Sequence, residues 1–112
     1  MSSDQAALVV LVATGSRSEA AQIARTTVER KLAACVQLYP IFSCYEWEGQ
    51  VVEAEEYLLL LKTRHAAYAD LEACVRELHS YDVPEIIALP VVAGATDYLN
   101  WLHDVLNTRQ QA

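Results

Sequence analysis

The 112 residues predict an α+β fold: a ferredoxin-like βαββαβ sandwich with a long central hairpin and an extra C-terminal helix. Three observations predict it. A continuous apolar run spans 6–13, as in a strand buried on both faces. Two stretches rich in β-branched and aromatic residues, 35–50 and 51–62, follow directly on one another, as the arms of a hairpin do. Segments 17–33 and 65–79 repeat apolar residues at steps of three and four, the helical period, and each sits between strands. Two hairpin-linked strands flanked by two strand–helix crossovers make the split β-α-β pattern.

The first strand ends at Thr14-Gly15. Ser16 and Glu19 have the spacing of a capping box, in which the hydroxyl accepts from the Glu19 amide and the carboxylate reaches back. The first helix is then expected over 17–33, with Ala20, Ile23, Ala24, Thr27, Val28 and Leu32 as its apolar stripe. Pro40 lies inside the next strand and cannot donate to a ladder, so it marks an edge or a bulge. Glu48-Gly49 is the expected turn. At ~3.3 Å per residue, hairpin arms of twelve or more residues reach about 40 Å, against about 27 Å for the diameter of a compact domain of this length. The hairpin therefore projects, and a projecting hairpin leaves edge groups for another copy of the chain to pair.

In the second helix Tyr68, Leu71, Cys74, Val75 and Leu78 form the apolar stripe. The stretch 80–84 ends it, since Pro84 bars a helical conformation at Val83. The fourth strand is expected over 85–92, with Pro90 at an edge or kink. After Gly94 a last helix, capped by Thr96 or Asp97, runs to Asn107 with Tyr98, Trp101, Leu102 and Val105 on one side. The polar tail from Thr108 is expected to fray. The chain reads as a single domain over 1–112 with an ordered core over 6–107.

Composition narrows the function. Fifteen acidic residues against eight basic give a net charge of −7, which opposes binding to nucleic acid. No apolar run reaches the ~18 residues of a membrane span, so no membrane partner is expected. The polar start at 1–5 carries no basic region, and the protein reads as cytoplasmic. Three cysteines, Cys35, Cys44 and Cys74, show no C-x-x-C spacing and read as free thiols. Neither a nucleophile elbow nor a glycine-rich phosphate loop occurs, so catalysis is not expected and no cofactor is implied.

The remaining chemistry has two readings at each place. Tyr45, Trp47, Lys62 and Trp101 either pack in core and interface or line a cleft for a small anion or aromatic ligand. His79 either caps the second helix, where the dipole favours a cation, or acts as a ligand or metal contact beside Glu85. Glu46, Glu48, Glu53, Glu55 and Glu56 crowd the hairpin, either as a solvated arm or as oxygen ligands for a divalent cation.

Five ordered segments carry a resemblance. They are Lys31-Leu32-Ala33-Ala34-Cys35, Tyr45-Glu46-Trp47-Glu48-Gly49, Leu61-Lys62-Thr63, His79-Ser80-Tyr81-Asp82-Val83-Pro84-Glu85 and Asp97-Tyr98-Leu99-Asn100-Trp101-Leu102. Together they resemble the CutA divalent-cation-tolerance family over about 8–106. The resemblance implies a homotrimer whose long hairpins pair between subunits. It also implies kinship with the PII signalling proteins, which bind small effectors between subunits. Copper sites attributed to members of the family use a Cys where Val12 stands, a His where Leu78 stands, and the Glu of the Pro-Glu step, here Glu85. The matching motif residues point to Tyr45, Trp47, Lys62, Tyr81, Glu85 and Trp101 around a small-molecule or anionic ligand, without catalysis. The alternatives are a copper or other divalent-cation binder acting in metal tolerance through His79 and Glu85, and a structural trimer that anchors a partner protein.

Overall fold

The structure, a computed structural model, describes residues 5–107. Along the chain run β1 (Ala7–Thr14), α1 (Arg17–Glu29), β2 (Cys35–Trp47), β3 (Gln50–Arg64), α2 (His65–Leu78), β4 (Ile86–Pro90) and α3 (Thr96–Asn107). The strands form one sheet in the order β2-β3-β1-β4, and every neighbouring pair is antiparallel. The expected sandwich is therefore the one observed. The polar tail from Thr108 lies outside the described residues.

Strand alternation divides the sheet into two faces. One face points Val10 and Val12 of β1 and Leu59 and Leu61 of β3 at the helices, where all four are fully buried. Ile23 of α1 and Leu71 and Val75 of α2 complete that core. Each such side chain contributes roughly 1.5–3 kcal/mol by leaving water. The opposite face carries Val9 and Leu11, Leu58 and Leu60, and Ile87 and Leu89, brought side by side by the register.

The start of α1 follows the sequence only in part. Ser16 Oγ accepts from the Glu19 amide at 3.2 Å. The Glu19 carboxylate does not complete the box; it accepts instead from the Ser80 amide at 3.2 Å, tying α1 to the loop after α2. The helix also ends at Glu29, four residues short of expectation. Lys31 adopts a left-handed φ of 60°. Leu32 N donates to Thr27 O at 2.9 Å and Lys31 N to Val28 O at 3.0 Å, the paired bonds of a Schellman stop. Glycine normally marks that position, and here a lysine hides it. Thr63 Oγ1 then donates to the Leu32 carbonyl at 2.7 Å, locking the stop to β3.

The hairpin turns at Glu48 and Gly49, with φ of 51° and 78° between the paired Trp47 and Gln50. Two consecutive positive φ values define the type I′ turn that suits the natural twist of a hairpin. Pro40 sits in β2, an edge strand, where its missing N–H breaks no central ladder. The molecule measures 45 × 29 × 21 Å, so the arm does extend the fold along one axis. β4 is shorter than expected, at Ile86–Pro90, although Val91 N still donates to Ala7 O at 3.0 Å. In α3 the buried residues are Leu102 and Leu106, packed with Ala34 and Val105. Tyr98 and Trp101, expected on the same side as Leu102, remain exposed. Among the described residues no helix is long and apolar enough to cross a membrane.

Candidate functional site

On the sheet face opposite α1 and α2, where α3 covers the end near Cys35 and Arg64, β2 and β3 extend beyond β1 toward the hairpin tip. Ser43, Tyr45 and Trp47 of β2 alternate onto this face, as does Glu56 of β3. The loop 79–85 between α2 and β4 comes up beside them and brings Tyr81, Asp82 and Glu85. Between hairpin and loop lies a cleft of about 540 Å³, the size of a small-molecule site. Ala13 is part of its floor.

Tyr81 OH donates to Glu56 Oε2 at 2.8 Å, across the cleft wall. Burial, and then the Glu56 carboxylate as acceptor and as a negative charge, push the Tyr81 phenol well above its ordinary value near 10. Tyr81 therefore stays a neutral donor at physiological pH. Gly15 makes room for this contact, because a Cβ there would lie 3.0 Å from the Tyr81 oxygen.

His79 shapes the loop from behind. Its Nδ1 accepts from the Tyr81 amide at 3.1 Å, so the ring proton belongs on Nε2, which donates to the Ala13 carbonyl at 2.7 Å. The Glu19 carboxylate lies 3.4 Å from Nδ1, and the Tyr81 ring packs at 4.8 Å between centroids. The imidazole is fully buried. His79 is indeed at the C-cap of α2, but both nitrogens serve the backbone, and its ring does not line the cleft that Glu85 lines. Among the described residues no three His, Cys, Asp or Glu side chains group closely enough to hold a metal ion. Val12, at the family's Cys position, faces the helix-side core.

Four of the expected ligand residues, Tyr45, Trp47, Tyr81 and Glu85, therefore meet at one cleft. Two do not. Lys62 lies at the base of the hairpin, where Nζ donates to Gln37 Oε1 at 2.6 Å. Trp101 stands on α3 against Tyr98, with ring centroids 5.5 Å apart. Sequence reasoning missed Glu56, grouping it with the solvated carboxylates of the arm. Glu46, Glu48, Glu53 and Glu55 are exposed as expected, but Glu56 is only 6% exposed. The signal was present: Glu55 and Glu56 are adjacent on a strand, so they face opposite ways and cannot both share the solvated side.

A four-stranded antiparallel sheet with two helices on one face and an aromatic, carboxylate-lined cleft on the other defines a small ferredoxin-like domain with a ligand-sized crevice. Residues 8–105 match the model of the CutA1 divalent ion tolerance protein family, and the chain belongs to that family. It is 47% identical over 97 residues to the divalent-cation tolerance protein CutA of Thermus thermophilus, covering 86% of this chain and 94% of that one. It is 48% identical over 87 residues to protein CutA of Mus musculus, covering 77% of this chain but only 49% of the mouse protein. The chain thus spans about half the length of that relative. Two solved structures superpose closely. The periplasmic divalent cation tolerance protein CutA of Archaeoglobus fulgidus has a TM-score of 0.87 at 35% identity, over 89% of this chain and 98% of its own. CutA1 of Oryza sativa has a TM-score of 0.87 at 40% identity, over 93% of this chain and 96% of its own.

Proposed function

We propose that the protein is a PII-like trimeric binding protein that takes a small molecule in its hairpin cleft and performs no chemistry on it. The observation that carries this reading is the cleft itself. Three aromatic rings, Tyr45, Trp47 and Tyr81, surround a space of about 540 Å³, and a buried carboxylate is already oriented by a phenol. Such preorganisation lowers the cost of binding.

The trimer is supported by the face opposite α1 and α2, which α3 covers only at one end. Tyr39, Ile87 and Leu89 are about half exposed on it, and on the other face of the hairpin, near its tip, Val51 is 76% exposed. Apolar surface of this extent on a small chain marks an interface. The edge of β2 also offers thirteen residues of strand for pairing between copies. Copies that cover this face enclose the cleft mouths between them. Three free thiols suit a reducing compartment, and we place the protein in the cytoplasm.

A thermal-shift screen of metabolites against the wild type and Trp47→Ala tests the reading. A ligand that raises the melting temperature of the wild type and not of the variant is expected. A trimer that no compound stabilises would count against it.

The second reading is divalent-cation binding, favoured by the names of the relatives and by Glu85 at the cleft. Calorimetry with Cu²⁺ on the wild type and Glu85→Gln separates the two. Specific binding that Glu85→Gln abolishes would support it, and weak binding insensitive to the change would dismiss it.

A further inference from the structure

We infer that the cleft selects an organic cation, a molecule whose positive charge is spread over an ammonium or guanidinium group, rather than an anion or a bare metal ion. This rests on the reading of the cleft as a ligand site and adds the charge and shape of the ligand.

The charge follows from the lining. Glu56, Asp82 and Glu85 all border the space, and among the described residues of one chain no Lys, Arg or His does. Lys62, the cation expected there, is engaged with Gln37 at the base of the hairpin. An anion entering the cleft meets three like charges in a partly desolvated setting, where such repulsion is felt most. A cation meets the same field as attraction, and a concave wall focuses it.

The choice between a metal and an organic cation follows from geometry. A hard divalent ion takes six or more oxygen ligands at about 2.0–2.6 Å. Among the described residues the carboxylates do not converge in that way. Glu56 Oε2 already accepts from Tyr81 OH at 2.8 Å, which takes up one of the carboxylate's lone pairs and fixes its orientation. An alkylammonium needs no tight shell. It is held by one or two carboxylates at its margin and by the faces of aromatic rings. Tyr45, Trp47 and Tyr81 supply those rings, all three lining the cleft and, within one chain, 38–48% exposed. The phenol of Tyr81 remains neutral and donates to Glu56, so its ring offers a neutral aromatic face. Glu56 thus acts as the fixed anion at the back of an aromatic cage, with Asp82 and Glu85 at its mouth.

The test uses three probes of one shape on the full-length protein, with binding read by ligand-detected NMR and calorimetry. Choline carries the positive charge, 3,3-dimethylbutan-1-ol is its neutral carbon analogue, and 3,3-dimethylbutanoate is a negative counterpart. Choline is expected to bind at least tenfold more tightly than the alcohol, with the carboxylate weakest. Glu56→Gln keeps an acceptor for Tyr81 and should reduce choline affinity at least fivefold while leaving the alcohol unchanged. Trp47→Leu should weaken both, and choline more than the alcohol, because the lost ring face acts on the charge. Equal binding of choline and the alcohol, or tighter binding of the carboxylate, overturns the cation assignment and leaves the cleft as a ligand site. Failure of all three probes to bind overturns the assignment and also counts against the cleft reading. Choline binding that Glu56→Gln does not alter overturns the role given to Glu56 and with it the cage.

Discussion

On the helix-covered face of the sheet Val10, Val12, Leu59 and Leu61 are fully buried; on the opposite face Ile87 and Leu89 stay 49% and 47% exposed. Ile87 and Leu89 stand on the edge strand β4, but even on β1 and β3 themselves Val9, Leu11, Leu58 and Leu60 are only partly buried, although the residue types are alike. One step along a strand decides which face a side chain serves. The covered face holds the fold together within one chain. The open face is as apolar and is left partly uncovered by its own chain; in the proposed trimer other copies cover it. Near the hairpin end the open face gives way to the cleft, where polar groups replace aliphatic ones. Residues on the covered face fix the fold; those at the cleft form the proposed binding site.

Deleting a core side chain should widen the contrast most. Leu59→Ala removes a fully buried leucine and should lower stability by about 3 kcal/mol, measured by urea unfolding. In the dissociated chain Ile87→Ala, on the half-exposed face, should cost less than half as much. Equal losses in the dissociated chain would show that the open face is already sealed within one chain.

Next in size is Thr63, which belongs to the covered face and fixes the end of α1. Thr63→Val leaves the buried Leu32 carbonyl without its 2.7 Å partner and should cost about 1–3 kcal/mol. A neutral result would show that water reaches that carbonyl. Lys31→Gly should act in the opposite direction. The φ of 60° suits glycine, so relief of strain should raise stability by up to ~1 kcal/mol, after the entropy of the unfolded glycine is counted.

The smallest effect concerns the cleft and pH. Burial and Glu56 raise the Tyr81 phenol in the folded state above its unfolded value of 10.0. The folded state therefore holds that proton more tightly. The resulting stabilisation is complete below pH about 10 and disappears as pH climbs through the folded value. Stability should fall on the alkaline side, and Tyr81→Phe should flatten that fall in a thermal-melt series. Cys74, raised above 9.0 by burial, gives the same sign and remains in the variant, so flattening should be partial.

The covered face was legible in the sequence because its signals are local. Apolar runs, helical stripes, the Glu48-Gly49 turn and Pro40 each speak for their own element, and all four strands fell where expected to within three residues. The end of α1 was not legible, since Lys31 takes a conformation usually marked by glycine. At the cleft, Tyr45, Trp47, Tyr81 and Glu85 could be picked from motifs. Lys62 and Trp101 could not be separated from them, because distance along the hairpin and across α3 is set by tertiary packing. Glu56 was obscured by the four exposed carboxylates around it. His79 showed its position at a helix end but not the loss of both ring nitrogens to the backbone.

The central claim is that one chain leaves its open sheet face and its hairpin edge unfinished, so copies must complete one another and frame the cleft. Multi-angle light scattering at low micromolar concentration tests it most directly. The account predicts a mass three times that of the 12.5 kDa chain. A stable species of 12.5 kDa would contradict it.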